Sequence, residues 1–424
     1  MINVEKCLIR MNNESKTFSN EEINELNIAI SGKTYDFGKA NYFEYNERLI
    51  ASFDTNSVED VISTYLKNGI NKLFGIRFTN RNEIMNKIFS NLRVLKNLSD
   101  FTIIRFDFKK YFDSVSTQYI FERYFEHSNI SREDKGFLKA YVDKIKYCTA
   151  GLTLSNTFCE LISQEFDLNI QAKFQTYGVI VYERYVDDGI FILSSYISEG
   201  DVKAHINSAI NEVFFDKVFA HKNKTKLNFK KFRIICRRDL QPINAFDFLG
   251  YEFSMDNQMK FTYGITQKKI DKYSKKIKKL IEVYNNKPIL LRHIIKANSS
   301  RVVYYRNSEY KYSRNWISKG LTANYTELRL VLPNLDAKTN LFLENIYCQP
   351  FLDLGLKIPG YLKTERYRLK SNFEKNRAMI FDERIGISKN QLIKELQSIG
   401  YNPMKNPSYN SLVKNYLIEI KIGK

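Results

Sequence analysis

Two adjacent aspartates, Asp187 and Asp188, lie between apolar runs in the stretch "RYVDDGIFIL". Asp188-Gly189 alone reads as hairpin chemistry, because an Asp-Gly pair flanked by alternating apolar residues favours a tight turn. Asp187 is not needed for such a turn. A second carboxylate beside the first adds repulsion, and the pair rests easily only when solvated or neutralised by a cation. A third acid, Asp107, closes the run "FTIIRFDF". Strand alternation puts Ile103, Arg105 and Asp107 on one face and Ile104, Phe106 and Phe108 on the other, with the Asp107 carboxylate at the strand's carboxyl end. Three acids brought together from different strands could hold two hard divalent cations, Mg2+ foremost and Mn2+ as a substitute. That donor set suits two-metal phosphoryl transfer, in which one ion activates the attacking oxygen and the other stabilises the leaving pyrophosphate.

The elements that must position these acids follow from the patterning. Over residues 1–100 the chain is mixed and polar, and "VEDVISTYL" and "NEIMNKIFSNLRVL" space their apolar residues as helices do. From "FTIIRFDF" to "FDFLGYEF" short β-rich runs alternate with helical segments, an α+β texture. After Gly264 the texture is expected to be helical to the end. "QKKIDKYSKKIKKLIEVY" sets Ile270, Tyr273, Ile277, Leu280 and Tyr284 on one face and lysines on the other. "ISKNQLIKELQSIGYNP" reads as a capped helix with Ile387, Leu392 and Leu396 inward.

With 424 residues, 43% of them hydrophobic, the chain is long enough for two or three domains with real cores. Lys and Arg number 66 against 47 Asp and Glu, a formal charge of +19 that points to a polyanionic partner, nucleic acid first. No run of about 18 apolar residues offers a membrane span. Glu5, Lys6 and Arg10 interrupt the opening segment before a secretory apolar core can form, so an intracellular protein is expected. Cys7, Cys148, Cys159, Cys236 and Cys348 are scattered and odd in number, and His127, His205, His221 and His293 show no ligand spacing, so neither disulfides nor a zinc site is indicated.

The motifs together resemble those of reverse transcriptases. "DFKKYFDSV" is similar to motif A and "YVDD" to motif C; "GLTLS" (Gly151 to Ser155) is similar to motif B, "HKNKTKL" to motif D, and "FDFLGYEF" (residues 246–253) to the primer grip. The similarity spans roughly residues 70–255. It implies a right-hand polymerase of α+β class: an N-terminal region and fingers over 1–100, a palm on a ferredoxin-like β-α-β-β-α-β sheet over 101–255, a helical thumb over 256–330 and a helical C-terminal region over 331–424. By the same resemblance Asp107, Asp187, Asp188 and the Phe108 carbonyl would bind metal, and Lys224 would protonate the leaving pyrophosphate. Arg77, Arg81, Phe112, Gly151 and Ser155 would meet the incoming nucleotide. Phe248, Leu249 and Gly250, with Lys275, Lys276, Lys278 and Lys279 of the thumb helix, would hold nucleic acid.

Motif B departs from the common pattern, with Thr149-Ala150 before Gly151 and Asn156 after Ser155, and its continuation "NTFCELISQEFDL" is similar to defence-associated bacterial reverse transcriptases. The implied protein is a bacterial, cytoplasmic RNA-directed DNA polymerase of antiviral defence. It would copy an RNA template, such as a dedicated noncoding RNA, into DNA from dNTPs. A homo-oligomer or a partner protein is left open. Three alternatives stand beside it: an RNA-binding scaffold without polymerase activity, an RNA-dependent RNA polymerase, and a retron or group II intron enzyme. Phe112, five residues beyond Asp107, bears on the second, because RNA polymerases commonly place an acid there to receive the ribose 2′-hydroxyl.

Overall fold

The computed structural model describes residues 19–45, 48–241, 243–305 and 316–422. The opening segment with Glu5, Lys6, Cys7 and Arg10 lies outside them. The chain divides into two units, Met1–Leu240 and Gln241–Lys424.

In the first unit a hairpin of β1 (Asn41–Tyr45) and β2 (Arg48–Ser52) precedes the helices Val58–Leu73 and Arg81–Leu92. The former starts where the Ser57 side chain accepts from the Asp60 amide, and Glu59 and Asp60 complement its N-terminal dipole. It buries Val61, Ile62, Tyr65, Leu66 and Ile70, the helical spacing visible in the sequence. Next come β3 (Thr102–Asp107), β4 (Val179–Tyr185), β5 (Asp188–Leu193) and β6 (Arg233–Cys236). They form one antiparallel sheet in the order β4-β5-β3-β6. The helices Thr117–Tyr124, Arg132–Lys144 and Thr153–Phe174 fall between β3 and β4, and Glu199–Phe214 falls between β5 and β6. The order of connection is therefore β-α-β-β-α-β, a split β-α-β arrangement.

β3 is buried along its whole length, as an inner strand with covered faces must be. Ile104, Phe106 and Phe108 point into the helical core, where Phe108 meets Phe166 at 5.1 Å and Phe214 at 5.9 Å between ring centres. Pleating sends Ile103, Arg105 and Asp107 to the other face. One expectation is corrected here. Asp188-Gly189 is not the turn: Tyr185 pairs with Asp188 and Arg184 with Gly189, so the two turn residues are Val186 and Asp187. Gly189 instead serves packing, because a Cβ there would fall 2.2 Å from the Phe106 ring. The β-ladder, not turn chemistry, selects the glycine.

The second unit opens with an antiparallel meander of β7 (Ile243–Phe248), β8 (Tyr251–Asp256) and β9 (Phe261–Ile265). The helix Gln267–Tyr284 follows and buries Ile270, Ile277 and Ile281, and then Pro288–Ser299 with proline in its first turn. The expectation of an all-helical texture beyond Gly264 is corrected by β10 (Arg301–Tyr305), β11 (Trp316–Lys319) and β12 (Ala378–Phe381), which form a sheet in the order β11-β10-β12 with β10 and β12 parallel. Runs as short as "RVVYY" and "AMIF" show too little alternation to stand out, and the parallel partner comes from far along the chain. Val302, Met379 and Phe381 from this sheet join Leu290, Ile294, Leu392, Leu396 and Tyr416 in one core. Leu392 and Leu396 thus point inward, with Ile387 packed at the edge. Among the described residues no helix is long and apolar enough to cross a membrane.

Candidate metal centre

The register of the sheet builds the site. β3 and β5 pair Asp107 directly with Asp188, so both side chains stand on one face at the strand ends. The turn adds Asp187, and the Phe108 amide ties it to β3 by donating to the Asp187 carbonyl at 3.1 Å. One carboxylate oxygen from each of Asp107, Asp187 and Asp188 lies within 4.8 Å of the others. Val186 holds the turn at a φ of 60°, a left-handed conformation costly for a β-branched residue. Arg184 fixes that turn from beneath: it donates to the Val186 carbonyl at 2.9 Å while paired with Glu160 and Asp167 of the Thr153–Phe174 helix, each at 2.8 Å.

Partial neutralisation comes from basic and amide groups around the acids. Asp107 accepts from Asn228 Nδ2 at 2.8 Å and from Lys231 Nζ at 2.6 Å. Asp188 accepts from Arg105 Nη2 at 2.7 Å, and the other arm of Arg105 donates to the Lys231 carbonyl at 2.5 Å. Burial, reinforced by the Asp107 charge, raises the Asp187 carboxyl above its ordinary range, with Lys231 and Arg48 pulling the other way. Asp188 is pushed up to about 7, chiefly by burial and then by Asp187 and Asp107, against the pull of Arg105. Closely set carboxylates that raise one another and offer only oxygen donors fit a hard divalent cation.

The segment after Asn223 runs along the end of β3. Lys224 N donates to Ser114 O at 2.7 Å, Lys109 N to Lys226 O at 2.9 Å, and Asn228 N to Asp107 O at 2.8 Å. Phe108 faces Leu227 in this short ladder, whose flanking bonds use neither the amide nor the carbonyl of Phe108. Lys224 itself is exposed, its ammonium 4.2 Å above the Tyr147 ring. The lysine that does bond to an acid of the cluster is Lys231.

The remaining sequence candidates are spread more widely. Arg77 is exposed in the loop before the Arg81–Leu92 helix, and Arg81 is that helix's first residue. Phe112 is half-buried in the short helix Tyr111–Ser114, packed on the core. Gly151 has a φ of +98°, and a Cβ there would fall 2.4 Å from the Ala51 carbonyl, so this glycine lets β2 lie against the loop. Ser155 is buried, and its hydroxyl accepts from the Thr149 amide at 3.0 Å. In the second unit Phe248 is buried, while Leu249 (φ 49°) and Gly250 (φ 83°) form the two-residue turn between β7 and β8.

Of the helix lysines, Lys275, Lys278 and Lys279 are exposed, and Lys276 is half-buried. If the exposed three touch phosphates, replacing them by Gln should lower the slope of log affinity for single-stranded RNA against log salt by about 0.7 for each phosphate no longer neutralised. An unchanged slope in a filter-binding series would show that this face does not touch nucleic acid.

Sequence reasoning missed the contacts made by Arg105, Asn228, Lys231 and Arg184, and the pull of the Arg48 charge on Asp187. Arg105 had a signal, since it shares a strand face with Asp107 two residues away. Lys231, within a run of surface lysines, had none.

No protein-family model matches this chain, and no curated protein sequence matches it. Solved structures do. Apo telomerase from Candida tropicalis lacking its C-terminal domain aligns at 17% identity over 59% of this chain and 61% of its own length, with a TM-score of 0.35. Telomerase from Candida albicans in complex with a TWJ fragment of telomeric RNA aligns at 13% identity over 85% of this chain and 54% of its own, with a TM-score of 0.36. Apo telomerase from Candida tropicalis aligns at 13% identity over 94% and 71%, with a TM-score of 0.37. The chain thus spans less than two thirds of the first two. A likeness this distant carries nothing about individual residues or activity.

Proposed function

We propose that this chain is an RNA-directed DNA polymerase of bacterial antiviral defence, extending DNA from dNTPs on an RNA template. The observation that carries the reading is the meeting of Asp107, Asp187 and Asp188 at the ends of paired strands. When bound, divalent cations would lower the barrier by activating the attacking hydroxyl and neutralising charge on the transferred phosphoryl group. The protein's own part is positional. Asn228 and Lys231 orient the two oxygens of Asp107, Arg105 orients Asp188, and Arg184 sets the turn that presents Asp187. The net charge of +19 supports a nucleic-acid substrate.

Sugar choice tests the reading. With Mg2+ and a primed RNA template, the parent protein should incorporate dNTPs in preference to rNTPs, because a ring at Phe112 beneath the sugar leaves a 2′-hydroxyl both crowded and unpaired. Phe112→Val should then raise rNTP incorporation while dNTP incorporation largely survives. Equal loss of both would make Phe112 a packing residue. A parent preference for rNTPs would overturn the DNA polymerase reading in favour of an RNA polymerase.

A further inference from the structure

Lys231 is bonded to an acid that a divalent cation would need. Its Nζ donates to Asp107 Oδ2 at 2.6 Å, while Asn228 Nδ2 donates to Oδ1 at 2.8 Å. Both oxygens of a carboxylate whose side chain is 2% exposed are therefore already taken. The two partners differ in charge. A neutral amide can stay beside a divalent ion on the same carboxylate, whereas an ammonium there is strongly repelled, because burial leaves little water to screen like charges.

Three carboxylates, Asp107, Asp187 and Asp188, meet two bonded cations, Lys231 and Arg105, and the Arg48 charge also reaches Asp187. The protein itself thus supplies much of the neutralisation that a metal would bring. A divalent ion added to such a cluster displaces whichever bonded cation can leave. Arg105 is 3% exposed, and its two arms hold Asp188 Oδ1 and the Lys231 carbonyl. The Lys231 side chain is 49% exposed on a flexible four-carbon stem, so its ammonium can turn into water. Its backbone stays in place, because Arg105 holds the carbonyl and the Lys231 amide donates to the Asn228 carbonyl at 3.0 Å. Release is a side-chain movement.

We propose that Lys231 is an internal counterion of Asp107, which holds the acids together without a metal and which a divalent cation displaces as it binds. Cation affinity is then the outcome of a competition within the chain, set by the strength of the Lys231–Asp107 bond as well as by the acids. This role rests on the cation site proposed above.

The test uses the full chain and Mn2+ as probe. In calorimetric titration Lys231→Met should bind Mn2+ about tenfold more tightly than the parent, since a charge-assisted hydrogen bond no longer has to be broken. Lys231→Arg, which keeps the charge, should bind no more tightly than the parent. Lys230→Met, on the exposed neighbour, should match it. A second measurement needs no variant. Reductive methylation of the parent, read by mass spectrometry, should modify Lys231 slowly without a divalent cation and severalfold faster in Mn2+, with Lys230 indifferent to the ion. Mn2+ affinity in Lys231→Met that is equal to or weaker than that of the parent overturns the counterion role, and so does a Lys231 reactivity that Mn2+ leaves unchanged. An absence of saturable Mn2+ binding in the parent and the variants alike overturns the cation site itself, and the polymerase reading with it.

Discussion

Asp187→Asn/Asp188→Asn is expected to abolish nucleotide incorporation, by a factor on the order of 10³ or more, while leaving RNA affinity close to that of the parent. The amides keep the shape of the turn but remove the charge that would hold a cation, and the basic surface is untouched. The same substitution should stabilise the cation-free protein at neutral pH. The sign follows from Asp188, whose carboxyl sits at about 7, above the usual aspartate value. Ionising such a group costs more in the folded state than in the unfolded one. Its contribution is therefore most favourable at pH below about 4 and is lost as pH rises through about 7. Mg2+ or Mn2+ should reverse this trend in the parent alone, with a thermal stabilisation that grows between pH 6 and 8. Undiminished polymerase activity in the double variant would remove the acids from the chemistry; a cation effect of equal size in both proteins would remove them from cation binding.

Arg184→Met is the second large expectation, and it concerns stability. Arg184 is 4% exposed and holds both Glu160 and Asp167, as well as the Val186 carbonyl. Truncating one partner of a buried ionic network leaves the others uncompensated, at a cost of about 3–5 kcal/mol. Urea unfolding should show that loss as a lower midpoint at unchanged slope. Adding Glu160→Gln and Asp167→Asn to Arg184→Met should restore part of it, because the unpaired charges are then gone. A loss below about 1 kcal/mol would mean that water already screens the network.

The acid cluster was legible because each of its parts leaves a local trace. Asp107 ends an alternating run, which sets it at a strand's carboxyl end, and Asp187-Asp188 separates two apolar runs, which sets the pair at a hairpin turn. What could not be read was how the strands meet. The pairing of Asp107 with Asp188, and of Phe106 with Gly189, is a matter of register between strands more than 80 residues apart, and the sequence carries no mark of it. For the same reason Gly189 looked like a turn residue when its task is to make room for a ring. The C-terminal β-sheet escaped notice because its strands are short and its parallel pair is distant. Helices fared better: the Lys389–Ser398 segment places Leu392 and Leu396 inward as its spacing indicated, since a helix records its buried face within a few turns.

The ladder along the end of β3 also bears on how the chain tolerates changes of length. Residues 224–231, KTKLNFKK, are mostly basic and polar and look like a surface loop, although Thr225 and Leu227 are buried. Yet Lys224, Lys226, Asn228 and Lys231 are each fastened to Ser114, Lys109 or Asp107, partly through backbone and partly through side chain. Inserting one residue here would do more than enlarge a bulge: everything beyond it would shift against Asp107, withdrawing Lys231 or Asn228 from the carboxylate. In a scan of single-residue insertions this stretch should behave as intolerantly as an inner strand. The exposed Asn285-Asn286-Lys287 turn, equally polar to the eye, should accept extra residues.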